Sequence, residues 1–512
     1  MSEANVNRRD FLKTGAASAA ALSLAASSYA KIKGANERLR VAYLGTGGRC
    51  NSAHITIGLD LQKEGRINMV GVSDVWDGNL ETDKYGRGLY PSAKRCNLDP
   101  NDGKAVTKDY RRILERPDVD IVCIAAPDHW HAKMSIDAAE AGKSVYCEKP
   151  MTKTIEEAHA VVDTMRKHNR VMTVGVQSTA DPTWLAAHKF ITDGNIGHVA
   201  QAQTSYYRNS DVGQWRYYKL TRDMTPKTVD WDMFLGHAYS IKGLDQPLGP
   251  KIPFDRAVYG QWRCYWPFGG GMFTDLFVHQ TTHMITAMGV RYPRRVVGGG
   301  GIYLEYDGRD VPDVATIVAD YDEGCQLMIT ATMIAAYPIE EVIRGHLGDI
   351  KFVKDGFEVI KEHPKGGPGI PARLERSVKG EFHSHPLPEQ KGSVKSHEHD
   401  TRLLWDNFLD CVQAGNRNTF STPELGAAAF TTVMLGVQSY RQGKALFWDK
   451  ENRKPTDADP SWAENWEKRS KERGKPNQVM GWHAGETGSL LHPPEYQKLA
   501  GPWIDGKDPA EA

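Results

Sequence analysis

Leu39-Arg40-Val41-Ala42-Tyr43-Leu44, followed by Gly45-Thr46-Gly47-Gly48-Arg49, is the stretch that decides the fold. The first part reads as a short apolar strand, the glycines break it at once, and Ala53-His54-Ile55-Thr56-Ile57 continues with a pattern compatible with a helix. Strand, glycine turn and helix is the order a pyrophosphate site needs. Gly45 permits the tight turn, Gly47 lets backbone approach the phosphates, and the helix N-terminus supplies free N–H donors. Thr46, Gly48 and Arg49 complete the loop expected to hold the dinucleotide. Cys50 stands where a third glycine or an alanine would allow the closest helix–strand packing, so slightly looser packing is expected there.

Working outward, Ile67–Ser73 reads as a second strand ending at Asp74. A carboxylate there can accept both ribose hydroxyls and repel a 2′-phosphate, which favours NAD over NADP. Asp77 competes for that role. Ile121-Val122-Cys123-Ile124-Ala125-Ala126-Pro127 is a near-continuous apolar run, as a strand buried on both faces of a parallel sheet requires. Asp128-His129-Trp130-His131 opens a helix running through Glu140, and Gly142 stops it. Ser144–Cys147 reads as a strand leading into Glu148-Lys149-Pro150, Ile155–His168 as a helix, and Val171–Gln177 as a last strand. Alternating strands and helices indicate a doubly wound parallel sheet over residues 37–178. Ligands on such sheets bind beyond the strand carboxyl ends, which makes Gly45, Asp74, Ala126, Pro127, His131, Glu148 and Gln177 candidates on the cofactor side.

Glu148-Lys149-Pro150 after a strand, the Gly45–Arg49 turn, Ala126-Pro127-Asp128-His129-Trp130-His131, and Gly269-Gly270-Gly271-Met272-Phe273-Thr274-Asp275-Leu276-Phe277-Val278-His279 occur in that order. Together they resemble the glucose-fructose oxidoreductase/inositol dehydrogenase/rhizopine-catabolism (Gfo/Idh/MocA) family over roughly residues 37 to 448. The resemblance implies a Rossmann domain followed by an α+β domain, residues 179–448, built on a large open, mostly antiparallel sheet. It also implies that Lys149 sits beside the nicotinamide and contacts the reacting hydroxyl, that the Lys149–Pro150 bond can be cis, and that Asp275 and His279 complete a catalytic trio.

If one helix carries Asp275 and His279, their i and i+4 spacing puts both side chains on one face. Oxidising a secondary alcohol needs a base for the hydroxyl proton while hydride leaves to the nicotinamide. Histidine's ordinary pKa suits His279 to that role, with Lys149 orienting the hydroxyl and Asp275 positioning both. Lys149 could serve as the base instead if burial and the cofactor's positive ring lower its pKa. His279 and His283 are also spaced for zinc. The glycine run and Lys149 point instead to hydride chemistry, and no metal is expected. Tyr207, Trp262, Arg263 and His283 are the candidate substrate contacts. His383, His385, His397 and His399 lie in a Pro- and Lys-rich stretch read as a solvated loop.

Further on, Val314–Tyr321 and Cys325–Met333 read as a hairpin joined by Asp322-Glu323-Gly324, a sheet whose face could pair in a homo-oligomer. Arg402–Ala414 and Pro423–Gln442 read as amphipathic helices, the second stopped at Gly443. From Asp449 the sequence loses period and reads as an extension, 449–512, wrapping the surface or a neighbouring subunit.

Lys plus Arg and Asp plus Glu both number 64, so no global field attracts nucleic acid or an anionic membrane. The seven cysteines lack paired short spacings, against both a zinc cluster and a disulfide scaffold. Asn7-Arg8-Arg9-Asp10-Phe11-Leu12-Lys13, an apolar run from Thr14 to Ala26 and Ser28-Tyr29-Ala30 resemble a twin-arginine export signal over residues 1–30, removed from the mature chain and too short to leave a membrane span. That route carries folded proteins to the periplasm, a compartment without a nicotinamide pool, so the cofactor is expected to be held tightly. The expected activity is hydride transfer between a carbohydrate or polyol and NAD(P). The alternatives are an NAD-dependent, redox-neutral glycosidase that works through transient oxidation at C3 and elimination, and a non-catalytic, dinucleotide-bound sugar sensor.

Overall fold

In the computed structural model the described residues are 38–79, 86–362, 379–390, 392, 398–457, 459 and 461–472. The export signal, His397 and the part of the 449–512 extension beyond residue 472 lie outside them. The strands of the first half are β1 (Leu39–Leu44), β2 (Ile67–Ser73), β3 (Val106–Thr107), β4 (Ile121–Ile124), β5 (Ser144–Glu148) and β6 (Met172–Gly175), all parallel, in the order β3-β2-β1-β4-β5-β6. The order reverses between β1 and β4, which is where a doubly wound sheet opens a crevice beyond its strand ends. Every residue of β4 and β5 is buried, as expected of strands covered by helices on both faces.

Gly45, at the end of β1, has φ of +80°, and a Cβ there would lie 2.5 Å from the backbone of Ala126 at the end of β4. Only glycine fits that close approach. The chain then winds as a π-helical turn over Cys50–His54 before the α-helix Ile55–Lys63. The Cys50 side chain is fully buried in that turn. The helix Ile155–Lys167 starts with a reciprocal cap. The Thr154 hydroxyl accepts the Glu157 N–H at 3.2 Å, and the Glu157 carboxylate accepts the Thr154 N–H at 3.1 Å.

The second half holds an 11-stranded mixed sheet. In chain order after β7 (Val199–Asn209) come β8 (Ser240–Ile241) and β9 (Leu244–Pro247), a separate small ribbon, then β10 (Arg295–Gly301), β11 (Val314–Tyr321), β12 (Cys325–Thr332), β13 (Ile334–Ala335), β14 (Val342–Gly345), β15 (Gly348–Val353), β16 (Gly356–Lys361), β17 (Phe382–Ser384), β18 (Leu446–Asp449) and β19 (Lys454–Thr456). Only β7 and β12 pair in parallel; the other pairings are antiparallel.

Two stretches differ from the sequence reading. Phe382–Ser384 is an edge strand, and His383 stacks on Phe357 at 4.8 Å, so this part of the histidine stretch is ordered by an aromatic neighbour that local pattern does not show. Residues from 449 onward begin as β19 on the sheet edge and then form the helix Ser461–Glu472.

The helix His399–Ala414 departs from the domain division, because it packs on the Rossmann side. Its Trp405 stacks on Tyr146 of β5 at 4.5 Å with an 11° tilt, and both rings are buried. Burying a ring of that size contributes roughly 2–3 kcal/mol, enough to bind the late helix to the first sheet.

Candidate active site

A cavity of about 470 Å³ lies at the crevice, lined by Gly45, Gly47, Gly48, Arg49, Asp74, Ala126 and Pro127 on one side and by Tyr217, Tyr218, Trp262 and Arg263 on the other. A Cβ at Gly47 would meet nothing within 4 Å, so the loop presents bare backbone to the cavity. Asp74 lines the cavity at the end of β2. Oδ2 accepts the Thr46 N–H at 2.7 Å and the Thr46 hydroxyl at 3.3 Å, while Oδ1 accepts the Trp76 N–H at 2.9 Å and keeps a lone pair to spare. Burial raises its carboxyl to about 6, against the pull of those N–H groups. Asp77, the competing candidate, is paired with Lys108 at 2.8 Å. The bare loop, the strand-end carboxylate and the cavity size together fit a dinucleotide. Thr46 is fully buried and takes part through Asp74, with no face on the cavity.

Three cofactor-side expectations take another form. His131 is 1% exposed, with Nδ1 and Nε2 at 2.6 and 2.7 Å from the carbonyl oxygens of Pro150 and Ala126. No ring nitrogen is left for a ligand, so His131 positions the strand ends around it. Glu148 is buried between Arg49, at 2.8 Å, and His54, at 2.9 Å. Burial would raise its carboxyl, but the Arg49 charge and the His54 hydrogen bond hold it well below the usual range. Because His54 Nδ1 accepts the Trp405 indole N–H at 3.0 Å, Nε2 carries the proton donated to Glu148. Arg49 also donates to both oxygens of Glu398 at 2.7 Å, so it reaches the cavity while bound to the late chain segment. Gln177 opens a 3-10 turn after β6 and is not among the residues lining the cavity.

Lys149 and Asp275 meet, and His279 follows on a second helical segment, so Asp275 and His279 do not share one helix. The first segment ends at Asp275, Leu276 breaks it with φ −110° and ψ −48°, and Phe277–Met288 starts afresh. The break exposes the Asp275 carbonyl, which accepts the Lys149 amine at 3.1 Å, while Asp275 Oδ1 accepts the same amine at 2.7 Å. Arg263 Nε donates to Oδ1 at 3.1 Å and Trp215 Nε1 to Oδ2 at 3.3 Å. Burial would raise the Asp275 carboxyl, but Lys149 and Arg263 outweigh it and hold it far below the ordinary range. Arg263 therefore connects the cavity wall to the trio. Lys149–Pro150 is cis.

His279 is half-buried, and its side chain makes no hydrogen bond among the described residues. Burial, reinforced by the Lys149 charge, lowers its pKa to about 3, so the imidazole is neutral with a lone pair available.

Two substrate expectations are corrected. Tyr207 lies on the wrong face of β7. Tyr206 is the ring beside His279, at 6.2 Å between centroids, and alternation sends Tyr207 the other way. Arg208, two residues on, donates to the Tyr206 hydroxyl at 2.8 Å. His283 is buried, pairs with Glu341 at 2.7 Å and stacks on Trp184 at 4.0 Å, so it braces helix against sheet. Trp262 and Arg263 both line the cavity, with the guanidinium 4.1 Å from the indole centroid. The sequence reading passed over Trp215, Tyr217, Tyr218 and Asp128. The aromatic density of Gln214-Trp215-Arg216-Tyr217-Tyr218 was the available signal. Trp215 also sits at φ +66°, unusual for a bulky residue.

Lys149, Asp275 and His279 are not among the residues lining the cavity; Arg263, which lines it, joins them to it through Asp275. The glycine loop, the strand-end Asp74 and the crevice at the point where the strand order reverses are the features of an NAD(P)-binding Rossmann domain. Residues 39–176 match the model of the oxidoreductase family with NAD-binding Rossmann fold, and 249–351 match the C-terminal domain of the same Gfo/Idh/MocA family. The chain belongs to that family. Residues 5–25 match the twin-arginine translocation signal, an export signal, and no helix among the described residues is long and apolar enough to cross a membrane.

Levoglucosan dehydrogenase of Pseudarthrobacter phenanthrenivorans is 38% identical over 119 residues, 22% of this chain and 30% of that one. A glycosyl hydrolase family 109 protein of Shewanella baltica is 26% identical over 245 residues, 43% of this chain and 51% of that one. The matches thus span 30% and 51% of these relatives' lengths. A solved levoglucosan dehydrogenase in complex with NADH and L-sorbose shares the fold, with TM-score 0.55, 19% identity, and coverage of 80% of this chain and 99% of that one.

Proposed function

We propose that this protein oxidises a secondary hydroxyl of a carbohydrate or polyol in the periplasm, using an NAD that stays bound through export. The observation that carries the reading is the Lys149–Asp275 contact of 2.7 Å beside a neutral, unpartnered His279. A nicotinamide dinucleotide, when bound, supplies the acceptor for a hydride. Gly45, Gly47 and Gly48 would hold its pyrophosphate, and Asp74 its ribose hydroxyls, which favours NAD because a 2′-phosphate would meet that carboxylate.

As an ammonium, Lys149 spends two N–H donors on Asp275 and keeps a third for the substrate oxygen. The hydroxyl proton passes to a free nitrogen of His279 as the carbon-bound hydrogen leaves as hydride, so charge balances within the event. A free imidazole near 3 is a weak base, but an alkoxide forming beside it offsets the Lys149 charge and raises its proton affinity as the reaction proceeds. Asp275 holds Lys149 and Arg263 in place throughout.

Protein purified without added dinucleotide and mixed with a carbohydrate panel tests the reading. Bound nicotinamide that becomes reduced with one class of sugar supports it. A cofactor-free preparation active only with excess free NAD sinks the tight-binding part, and no reduction by any sugar or polyol sinks the reaction.

A second reading has one observation in its favour: of the two relatives described above, the one matched over the longer stretch is a glycosyl hydrolase family 109 protein. On that reading oxidation is transient and the glycoside is cleaved, so released aglycone without net reduction identifies it.

A further inference from the structure

A second cavity, of about 430 Å³, lies beyond the glycine turn. Small-molecule sites run to roughly 300–1,000 Å³, so it is large enough for a ligand. Gly269 stands between the two cavities, since a Cβ there would meet Trp262 of the first at 3.1 Å and Asp128 of the second at 3.2 Å. Three segments distant in sequence build the second cavity's polar wall. They are Asp128 at the start of its helix, Lys153 after the cis peptide, and Gln438 and Arg441 near the end of Pro423–Gln442, with Trp266 beside them.

These groups are not satisfied by one another. Asp128 is 2% exposed, and its Oδ1 has no hydrogen-bond partner among the described residues. Burial raises its carboxyl to about 8, against the nearby Arg263, Lys149 and Lys153 and with the help of Asp275, so at neutral pH it is an acid able to donate. Lys153 donates to the Leu248 carbonyl at 3.1 Å, and Arg441 lies 5.1 Å from the Trp266 ring centroid. Neither cation forms an ion pair among the described residues. Two acids stand near them, and each already serves backbone. Glu157 accepts the N–H of Lys153 and Thr154, and Asp310 that of Trp266.

We propose that this cavity binds a small hydroxylated carboxylate, a sugar acid in size and chemistry, with its anionic end toward Lys153 and Arg441 and a hydroxyl accepting from Asp128. Charge-assisted hydrogen bonds to an anion are the strong kind, and a buried acid without a partner is a group that a ligand hydroxyl can satisfy. The site is separate from the redox chemistry and does not depend on it.

Calorimetric titration of the full chain, with its bound dinucleotide, using D-glucuronate tests the proposal. Saturable binding is expected, weakened roughly 10-fold or more by Arg441→Gln and by Lys153→Met, and unchanged in Lys149→Met. No binding, equal binding by the wild type and Arg441→Gln, or loss of binding in Lys149→Met overturns it. Because binding is read without turnover, it can stand or fall apart from sugar oxidation.

Discussion

Replacing Asp275 with asparagine removes one negative charge from between two cations while keeping the shape of the side chain. In the native site Oδ1 accepts from Lys149 at 2.7 Å and from Arg263 at 3.1 Å. Removing one partner of a buried ion pair costs about 3–5 kcal/mol, chiefly because the other charge is stranded. The Lys149 and Arg263 side chains keep 15% and 22% exposure, so water can reach both and the lower end, about 3 kcal/mol, is expected. The sign with pH follows from a carboxyl held below its ordinary range. Its stabilisation is complete above about pH 4, where the unfolded carboxyl ionises, and is lost as pH falls toward the native value.

Chemical denaturation of wild type and Asp275→Asn at neutral pH and near pH 2 therefore reads a gap that narrows in acid. In a Lys149→Met background the same substitution should cost less, by roughly 1–2 kcal/mol. A neutral-pH loss below about 1 kcal/mol, or no coupling to Lys149, refutes the reasoning.

Asp128→Asn should act in the opposite direction. A carboxyl raised to about 8 is protonated in the fold while ionised in the unfolded chain, so its contribution worsens from about pH 4 up to about 8. The variant should melt higher than wild type at pH 8 and converge with it in acid by scanning calorimetry; parallel curves would refute this. Glu398→Gln takes one of the two charged partners from Arg49, so bound dinucleotide should leave roughly 10-fold faster during dialysis, and an unchanged rate shows that the late segment does not steady the loop. His279→Asn should lower kcat by roughly 10²–10⁴ with little change in melting temperature. A loss under about threefold removes His279 as the base.

The parts of this fold legible in the sequence are those set by local pattern. Ile67–Ser73 and Asp128–Glu140 end where the residues indicate, because apolar runs meet a carboxylate or a glycine. Gly443 closes the long helix in the left-handed conformation its position predicts. What sequence left hidden depends on distant partners. Nothing local marks the break at Leu276, which is neither glycine nor proline and is accompanied by the Lys149 amine on the freed carbonyl. Tyr206 and Tyr207 are alike as residues, and only the register of β7 against β12 decides which faces His279. His283 reads as a second site imidazole until Glu341 arrives from across the sheet. Arg49 reads as part of the dinucleotide loop, yet it is held by Glu398 from 349 residues further along the chain.

Tracing the hydrogen itself tests the central claim most directly. A sugar that reduces the bound nicotinamide, deuterated at the oxidised carbon, is incubated with the purified protein, and the bound dinucleotide is analysed by mass spectrometry. Deuterium on the nicotinamide ring in wild type, and none in Lys149→Met or His279→Asn over the same interval, is the predicted result. An unlabelled ring in wild type, or equal labelling in all three proteins, contradicts direct hydride transfer at this site.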